Sequence, residues 1–399
     1  MPASLGTVRG KAQMNWFTAA ILTIAVCLLA LPGPGLWTKA GVVGAAAVSV
    51  LAVRRSQARW TGVVLVLWGL LGLALGLAVG VRHLLAGRLT LAPLALVAGG
   101  FLVVAGLRTL LRALSRPTRA AGTAALVLGG LVCLYLLVIP LLTTQPLPAA
   151  APGPPPTGFS EVAFDTSDGV TLRGWYAATD NGAAVVVVPG SGSSRTGAAK
   201  QARRLADAGF GVLVYDPRGH GASDGQAMDT GWAGDADVTA AVTFASGQPG
   251  VRAIGALGLS MGGEQVLGAA AGDPRISAIV AEGATNRVAA DLAWLPDWYG
   301  ARGAVQLGLE HAKQAITALL TPYPAPGSLR EALRAIGDRP VLIITAGQRP
   351  DEYSAAIHNG PGVEIWNVEE AGHTGALAAD PDAWQQRVVG FFEQALLDR

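Results

Sequence analysis

The chain has 399 residues, of which 51% are hydrophobic and only 14% are charged, and this length allows two or three domains. Its formal net charge of +2 hides a strong asymmetry, because all 27 acidic residues follow residue 160 whereas twelve of the 29 basic residues precede it. These twelve lie in short gaps between long apolar runs, as in membrane proteins. The composition therefore excludes a basic nucleic-acid-binding surface, and no nucleic-acid partner is expected.

Five apolar stretches of 17 to 23 residues are predicted to be transmembrane helices: 15–31, 36–53, 61–81, 89–107 and 120–142. Their lengths fit a hydrocarbon core of about 30 Å. None contains an acidic residue, which favours a membrane anchor (1–144) over a transporter or channel. The second stretch is the weakest because it is rich in Ala and Gly and has Lys39 at its edge, so four spans remain the alternative. Gly72, Gly76 and Gly80 recur at a spacing that is compatible with close helix packing.

The distribution of basic residues predicts the orientation of these spans. With five spans and the N-terminus inside, the inside segments hold nine basic residues and the outside loops hold three. This difference follows the positive-inside rule. We therefore expect a multi-pass protein of the cell membrane whose C-terminal domain is extracytoplasmic, whereas four spans would place that domain in the cytoplasm.

A short uncharged segment, 145–158, follows the last apolar stretch and reads QPLPAAAPGPPPTG. Its Pro, Ala and Gly content predicts an extended, semi-rigid linker. A domain boundary is therefore expected near residue 158.

Residues 159–399 alternate short β-like runs with helical ones, which predicts an α/β domain with a mostly parallel sheet. Helices are expected at about 196–208, 229–246 and 382–397. The predicted strands are Ser160–Thr166, Val170–Tyr176, Ala183–Val188, Gly211–Tyr215, Arg252–Leu257, Ser277–Ala281, Val341–Thr345 and Val363–Val368.

The main chemical motif, Gly258-Leu259-Ser260-Met261-Gly262, lies between a predicted strand and a predicted helix. In that context G-x-S-x-G predicts a sharp turn that exposes a nucleophilic serine. The residues two before and two after the serine approach each other in such a turn, so both must be glycine. The helix beginning at Met261 also directs its positive dipole end toward a developing oxyanion.

With this motif the sequence resembles the α/β-hydrolase superfamily over essentially all of 159–399. Val185–Val188 with Pro189-Gly190-Ser191-Gly192 is similar to the strand and oxyanion loop of that family, although Pro189 replaces the usual histidine. Tyr215–Ser223 resembles the D-x-R-G-x-G-x-S loop, and Ala371-Gly372-His373 resembles the loop of the catalytic histidine. The resemblance implies that the amides of Met261 and Ser191 form the oxyanion hole.

A serine nucleophile needs a base, and that base needs an orienting acceptor. Among the five histidines, His373 is expected to be the base, and His220 is expected to brace its loop. The acid should follow the strand Val341–Thr345, where Asp351 is the first choice. Glu352, and Glu282 at the end of the preceding strand, remain alternatives.

Residues 285–338 form an insertion that is expected to cap the site, with aromatic residues that either line an acyl pocket or pack the cap. The expected function is cleavage of a small-molecule or lipid carboxylic ester or thioester through an acyl-enzyme, with no metal or cofactor. The alternatives are a prolyl-oligopeptidase-like peptidase, an acyltransferase acting on lipid or cell-wall material, and a non-catalytic binding or sensor module. Abundant Arg, Ala and Gly are typical of a GC-rich bacterial genome.

Overall fold

The computed structural model describes residues 5–55, 58–115, 117–347 and 360–398. The chain divides into two compact units. The first comprises Met1–Leu147 and Leu309–Pro322, and the second comprises Pro148–Gly308 and Tyr323–Arg399. The first unit is helical, and the second is a sheet covered by helices.

Apolar helices form the first unit, and helices coincide with all five stretches predicted to span a membrane. They are α1 (Leu5–Leu29), α2 (Leu36–Arg55), α3 (Ala58–Leu75), α4 (Arg82–Leu85), α5 (Ala92–Arg112) and α6 (Arg119–Thr144), and a π-helical segment, Gly76–Val81, joins α3 to α4. Within the described part of the chain, four regions are long and apolar enough to cross a membrane: Leu36–Arg54, Trp60–Leu85, Ala92–Arg112 and Arg119–Thr144. The apolar part described for α1, Asn15–Leu29, is shorter.

Glycines bring the backbones of α3, its π-helical extension and α5 into close contact. A methyl group at Gly72 would lie 2.7 Å from the Ala95 carbonyl oxygen, and one at Gly76 would overlap Leu96. At Gly80 it would lie 2.7 Å from the nitrogen of Pro93. The three glycines noted in the sequence therefore all lie at this helix contact, where small residues permit close approach.

A segment of the predicted cap insertion, Leu309–Pro322, belongs to the helical unit. Lys313 Nζ donates a 3.2 Å hydrogen bond to the Tyr135 hydroxyl of α6 and lies 2.7 Å from a carboxylate oxygen of Glu310. Leu320 packs against the apolar core of the helices. The insertion is therefore divided between the two units, which its sequence did not indicate.

The second unit contains an eight-stranded sheet in the order β1-β2-β4-β3-β5-β6-β7-β8. The pairs β1–β2 and β2–β4 are antiparallel and the other pairs are parallel, so the prediction of a mostly parallel sheet is confirmed. The strands are β1 (Ser160–Asp165), β2 (Thr171–Ala177), β3 (Ala183–Val188), β4 (Gly211–Tyr215), β5 (Ala253–Leu259), β6 (Ile276–Glu282), β7 (Val341–Ala346) and β8 (Val363–Val368). Every residue of β3 is buried, as expected for a central strand covered on both faces.

Helices cover both faces of this sheet, and two helix predictions need correction. The helices are α7 (Ala199–Asp207), α8 (Gly234–Ser246), α9 (Met261–Gly272), α10 (Leu295–Leu320, kinked at Gly300), α11 (Leu329–Ile336), α12 (Ala376–Ala379), α13 (Pro381–Trp384) and α14 (Gly390–Leu396). The helix predicted from about 229 begins only at Gly234, because Gly231 has a φ of +66° that ends a turn there. The predicted last helix is interrupted by a π-helical segment, Gln385–Val389.

Candidate active site

Ser260 lies at the turn between β5 and α9 with φ 53° and ψ −122°. A residue other than glycine rarely adopts a positive φ, and such strain is concentrated at functional sites. A methyl group at Gly258 would overlap the backbone of Gly262, and one at Gly262 would overlap the carbonyl oxygens of Val188 and Pro189. The close approach that the motif predicted is therefore present, and it needs glycine on both sides of the serine.

His373 lies in the loop between β8 and α12. Its Nε2 is 2.9 Å from Ser260 Oγ, which is hydrogen-bonding distance for proton transfer. Gly283 makes room for the ring, because a methyl group there would lie 2.8 Å from His373 Cε1. The next residue, Thr374, has a φ of 55°, so the loop turns sharply just after the histidine. The structure therefore brings together the two residues predicted to be nucleophile and base.

Of the three candidate acids, only Glu282 lies within the described residues. Asp351 and Glu352 fall within 348–359, outside the described residues. Glu282 is the last residue of β6 and is buried, with 3% of its surface exposed. Its Oε1 accepts a 2.9 Å hydrogen bond from the backbone N–H of Ala376, at the start of α12. Glu282 therefore contacts the segment that carries His373.

The predicted oxyanion donors, the amides of Ser191 and Met261, belong to the two backbone segments that meet at Ser260. A methyl group at Gly190 would lie 3.4 Å from Ser260 Cβ, so the loop after β3 passes beside the nucleophile. Met261 is the first residue of α9, where a backbone N–H has no partner within the helix. The N-terminal end of α9 carries the positive end of the helix dipole, which also favours negative charge at this point.

Two buried carboxylates near the site were not recognised from the sequence as structural groups. Asp216 accepts 2.8 Å hydrogen bonds from the backbone N–H groups of Arg195 and Ala222, and burial raises the pKa of Asp216. Glu264, in the first turn of α9, accepts from the backbone N–H groups of Thr285 and Asn286 at 3.2 and 3.0 Å. The sequence did contain a signal for Asp216, since this residue occupies the acidic position of the D-x-R-G motif.

Burial raises the pKa of Glu264 to about 7, although the hydrogen bonds from Asn286 and Thr285 oppose this rise. The position of Glu264 in the first turn of the helix favours a helix-terminus charge over a catalytic group. Its partners lie 21 and 22 residues away, so no local pattern could reveal its role.

The strand order, the nucleophile turn after β5 and the histidine after β8 are those of the α/β-hydrolase fold. The second unit has this fold. Residues 179–320 match the family described as Serine aminopeptidase, S33.

Several proteins are similar to this chain over part of its length. The polyketide transferase grgF of a Penicillium species is 38% identical over 133 residues, covering 31% of this chain and 44% of that protein. The thiohydrolase aneE of Aspergillus aculeatus is 37% identical over 129 residues, covering 31% and 40%. The structure of the Pyrococcus furiosus esterase Pf2001 is similar to this chain with a TM-score of 0.49 and 22% sequence identity. The match covers 62% of this chain and 99% of the esterase chain. The chain spans less than half of the length of the two curated relatives, grgF and aneE.

Proposed function

We propose that this chain is a membrane-anchored serine hydrolase that cleaves a carboxylic ester or thioester through an acyl-enzyme. The observation that carries the proposal is the 2.9 Å contact between His373 Nε2 and Ser260 Oγ, with Ser260 on a strained turn at the start of a helix. A binding or sensor module would have no need for this strain or for a base at the serine. The geometry therefore favours catalysis over the non-catalytic alternative.

In the proposed mechanism, Ser260 Oγ attacks the acyl carbonyl carbon while His373 Nε2 takes the hydroxyl proton. The amides of Met261 and Ser191 donate to the resulting oxyanion, and each such donor typically contributes about 10²–10³ in rate. The tetrahedral intermediate collapses when His373 returns the proton to the leaving alcohol or thiol. Water then attacks the acyl-enzyme and loses a proton to His373. The second tetrahedral intermediate collapses as His373 returns this proton to Ser260 Oγ, which releases the acid and restores the enzyme. Asp351 is proposed to accept a hydrogen bond from the other nitrogen of His373.

The proposed anchor is the helical unit. Large apolar side chains cover its outside, since Trp37, Leu89 and Val97 are 88%, 94% and 74% exposed. Such a surface is unfavourable in water and suits a lipid environment. The basic residues favour insertion with the hydrolase domain outside the cytoplasm, where it would act on lipid or small-molecule acyl substrates.

Transfer of the acyl group to an acceptor other than water is the second candidate. It is favoured by the similarity to a protein named as a polyketide transferase. The two reactions share the acyl-enzyme and differ only in the second nucleophile. A peptidase is the further alternative, because the family matched by residues 179–320 is described as an aminopeptidase.

The test uses the full-length protein in detergent with a fluorescent fluorophosphonate, which phosphonylates activated serines. Wild-type protein and the Ser246→Ala control, on α8, should be labelled, whereas Ser260→Ala should not be. Equal labelling of folded Ser260→Ala would contradict the proposal. A panel of acyl esters and thioesters, with and without added alcohol or amine acceptors, then separates hydrolysis from transfer by the product formed.

A further inference from the structure

The linker that follows the last apolar helix is hydrogen-bonded to a loop of the α/β unit. The backbone N–H of Ala149 donates to Nδ1 of His220 at 3.1 Å, and the backbone N–H of Gly221 donates to the Ala149 carbonyl oxygen, also at 3.1 Å. His220 is buried, with 1% of its surface exposed. Residue 149 is therefore held at both of its backbone polar groups.

The other ring nitrogen of His220 faces Asp229. Because Nδ1 accepts a hydrogen bond, the proton of the neutral ring is assigned to Nε2. Nε2 lies 3.5 Å from Asp229 Oδ1, which is an electrostatic contact longer than an ordinary hydrogen bond. His220 thus lies between the linker and the carboxylate of Asp229.

Asp229 in turn holds the loop that follows β3. Its Oδ1 accepts a 3.0 Å hydrogen bond from the backbone N–H of Gly192, and its carbonyl oxygen accepts a 3.3 Å hydrogen bond from Ser191 Oγ. Ser191 and Gly192 are both exposed, so burial does little to fix this part of the loop. The two hydrogen bonds to Asp229 therefore restrain its position.

The same turn also contacts the other proposed oxyanion donor. The backbone N–H of Gly231 donates to the carbonyl oxygen of Met228 at 3.3 Å, which closes a tight turn around Asp229. A methyl group at Gly231 would lie 2.7 Å from Met261 Cγ. The turn 228–231 is therefore in contact with Met261 and bonded to Ser191 and Gly192.

We propose that Asp229 is a positioning residue for the oxyanion hole, and that Ala149, acting through His220, makes the linker part of the support of that site. The inference rests on the proposed acyl transfer by Ser260. A donor must lie within hydrogen-bond reach of the oxyanion rather than of the ground-state carbonyl. A loop displaced by about 1 Å loses much of that stabilisation, at a cost of about 10²-fold in rate.

The first experiment compares Asp229→Ala and Asp229→Asn with wild type in full-length protein, with kcat expressed per site titrated by fluorophosphonate. We expect kcat of Asp229→Ala to fall about 10- to 100-fold with KM nearly unchanged. The affinity for an aryl trifluoromethyl ketone, whose adduct with Ser260 bears an oxyanion, should fall in parallel. Asp229→Asn keeps an acceptor for Gly192 and should retain much of the activity.

The second experiment uses two proline substitutions in the linker. Ala149→Pro deletes the N–H that reaches His220 and also fixes the local backbone φ, and Ala151→Pro, at an exposed position, is the control for the effect of the proline ring itself. We expect kcat of Ala149→Pro to fall about 2- to 10-fold, which corresponds to the net contribution of one hydrogen bond. The kcat of Ala151→Pro should be unchanged.

Two outcomes would overturn the inference in different ways. A wild-type enzyme that is labelled at Ser260, with Asp229→Ala retaining its full kcat and inhibitor affinity, would overturn the roles of Asp229 and of the linker and leave the proposed function standing. A wild-type protein that is not labelled at Ser260 would overturn the proposed function and this inference together.

Discussion

The backbone N–H of Ser260 donates a 2.7 Å hydrogen bond to the carbonyl oxygen of Glu282. The side chain of the same Glu282 accepts from the backbone N–H of Ala376, near His373. One residue at the end of β6 is therefore bonded to the nucleophile turn and to the histidine loop. This dual contact gives Glu282 a structural role whether or not it also serves as the acid.

The acid can be identified by three amide substitutions. Asp351→Asn should lower kcat by about 10⁴-fold, because an amide has no negative charge and its NH2 group can donate to the histidine, which favours the wrong tautomer. Glu282→Gln should cost far less, since a glutamine oxygen can still accept from Ala376, and Glu352→Gln should also have a small effect. The measurement is kcat for an activated ester at equal titrated sites. If Glu282→Gln is the crippling change, the acid lies on β6 and the assignment to Asp351 is wrong.

The nucleophile turn should tolerate no side chain at Gly262. Gly262→Ala should lower the stability and the activity of the hydrolase domain, because its methyl group would overlap backbone oxygens that cannot move independently. Gly272→Ala, at the other end of α9, is the control, since nothing lies within 4 Å of its added methyl group. Thermal unfolding and ester hydrolysis of both variants give the comparison. A Gly262→Ala protein as stable and active as Gly272→Ala would contradict the described turn.

Glu264 should make the stability depend on pH. Its folded pKa of about 7 is above its ordinary value of 4.5, so the folded state binds more protons between these values and stability falls as the pH rises through them. Glu264→Gln keeps an acceptor and removes this loss, which amounts to about 1–3 kcal/mol above pH 7. The apparent Tm of the variant relative to wild type should therefore increase from pH 5 to pH 8.

Glu331 provides a control of opposite sign for this experiment. Hydrogen bonds from the backbone and hydroxyl of Ser328 lower the pKa of Glu331, so its contribution is present at neutral pH and lost as the pH falls. Glu331→Gln should thus lower the apparent Tm at pH 8 and have less effect at low pH. A relative Tm of Glu264→Gln that stays constant or decreases toward pH 8 would contradict the prediction.

The proposed membrane insertion of the N-terminal helices and their orientation are testable with reporters fused after residue 158. Five spans with the N-terminus inside place this point outside, so an alkaline phosphatase fusion should be active. A fluorescent protein that folds only in the cytoplasm should be dark at the same point. The reverse result would mean four spans or an inverted orientation, and the hydrolase would be cytoplasmic.

Strands were predictable where a run of apolar residues is buried on both faces. Ala183–Val188 and Gly211–Tyr215 are such strands, and they have the predicted bounds. Ser260 was found because its strained turn requires glycine at fixed positions, which leaves a readable motif. The motif therefore located the turn that carries Ser260, and the resemblance pointed to His373, whose Nε2 lies 2.9 Å from Ser260 Oγ.

The remaining features depend on partners distant in sequence. Asp229 was predicted to lie at the start of a helix, yet it lies in a turn whose contacts are residues 191, 192 and 220. Glu264 is held by a loop after β6, and Lys313 meets Tyr135, 178 residues away. Such pairings leave no local periodicity in the sequence. Neither the contacts of Asp229 nor the division of the insertion between the two units could therefore be predicted from the sequence.

The division of the insertion limits how the protein can be cut. A fragment beginning at residue 159, at the boundary that the Pro-rich segment suggests, would retain Leu309–Pro322 but lose the helices with which that segment packs. It would also lose Ala149 and leave the buried Nδ1 of His220 without its donor. A chimaera in which other helices replace the first unit would therefore have to supply new packing partners for Leu309–Pro322 and would have to keep Ala149.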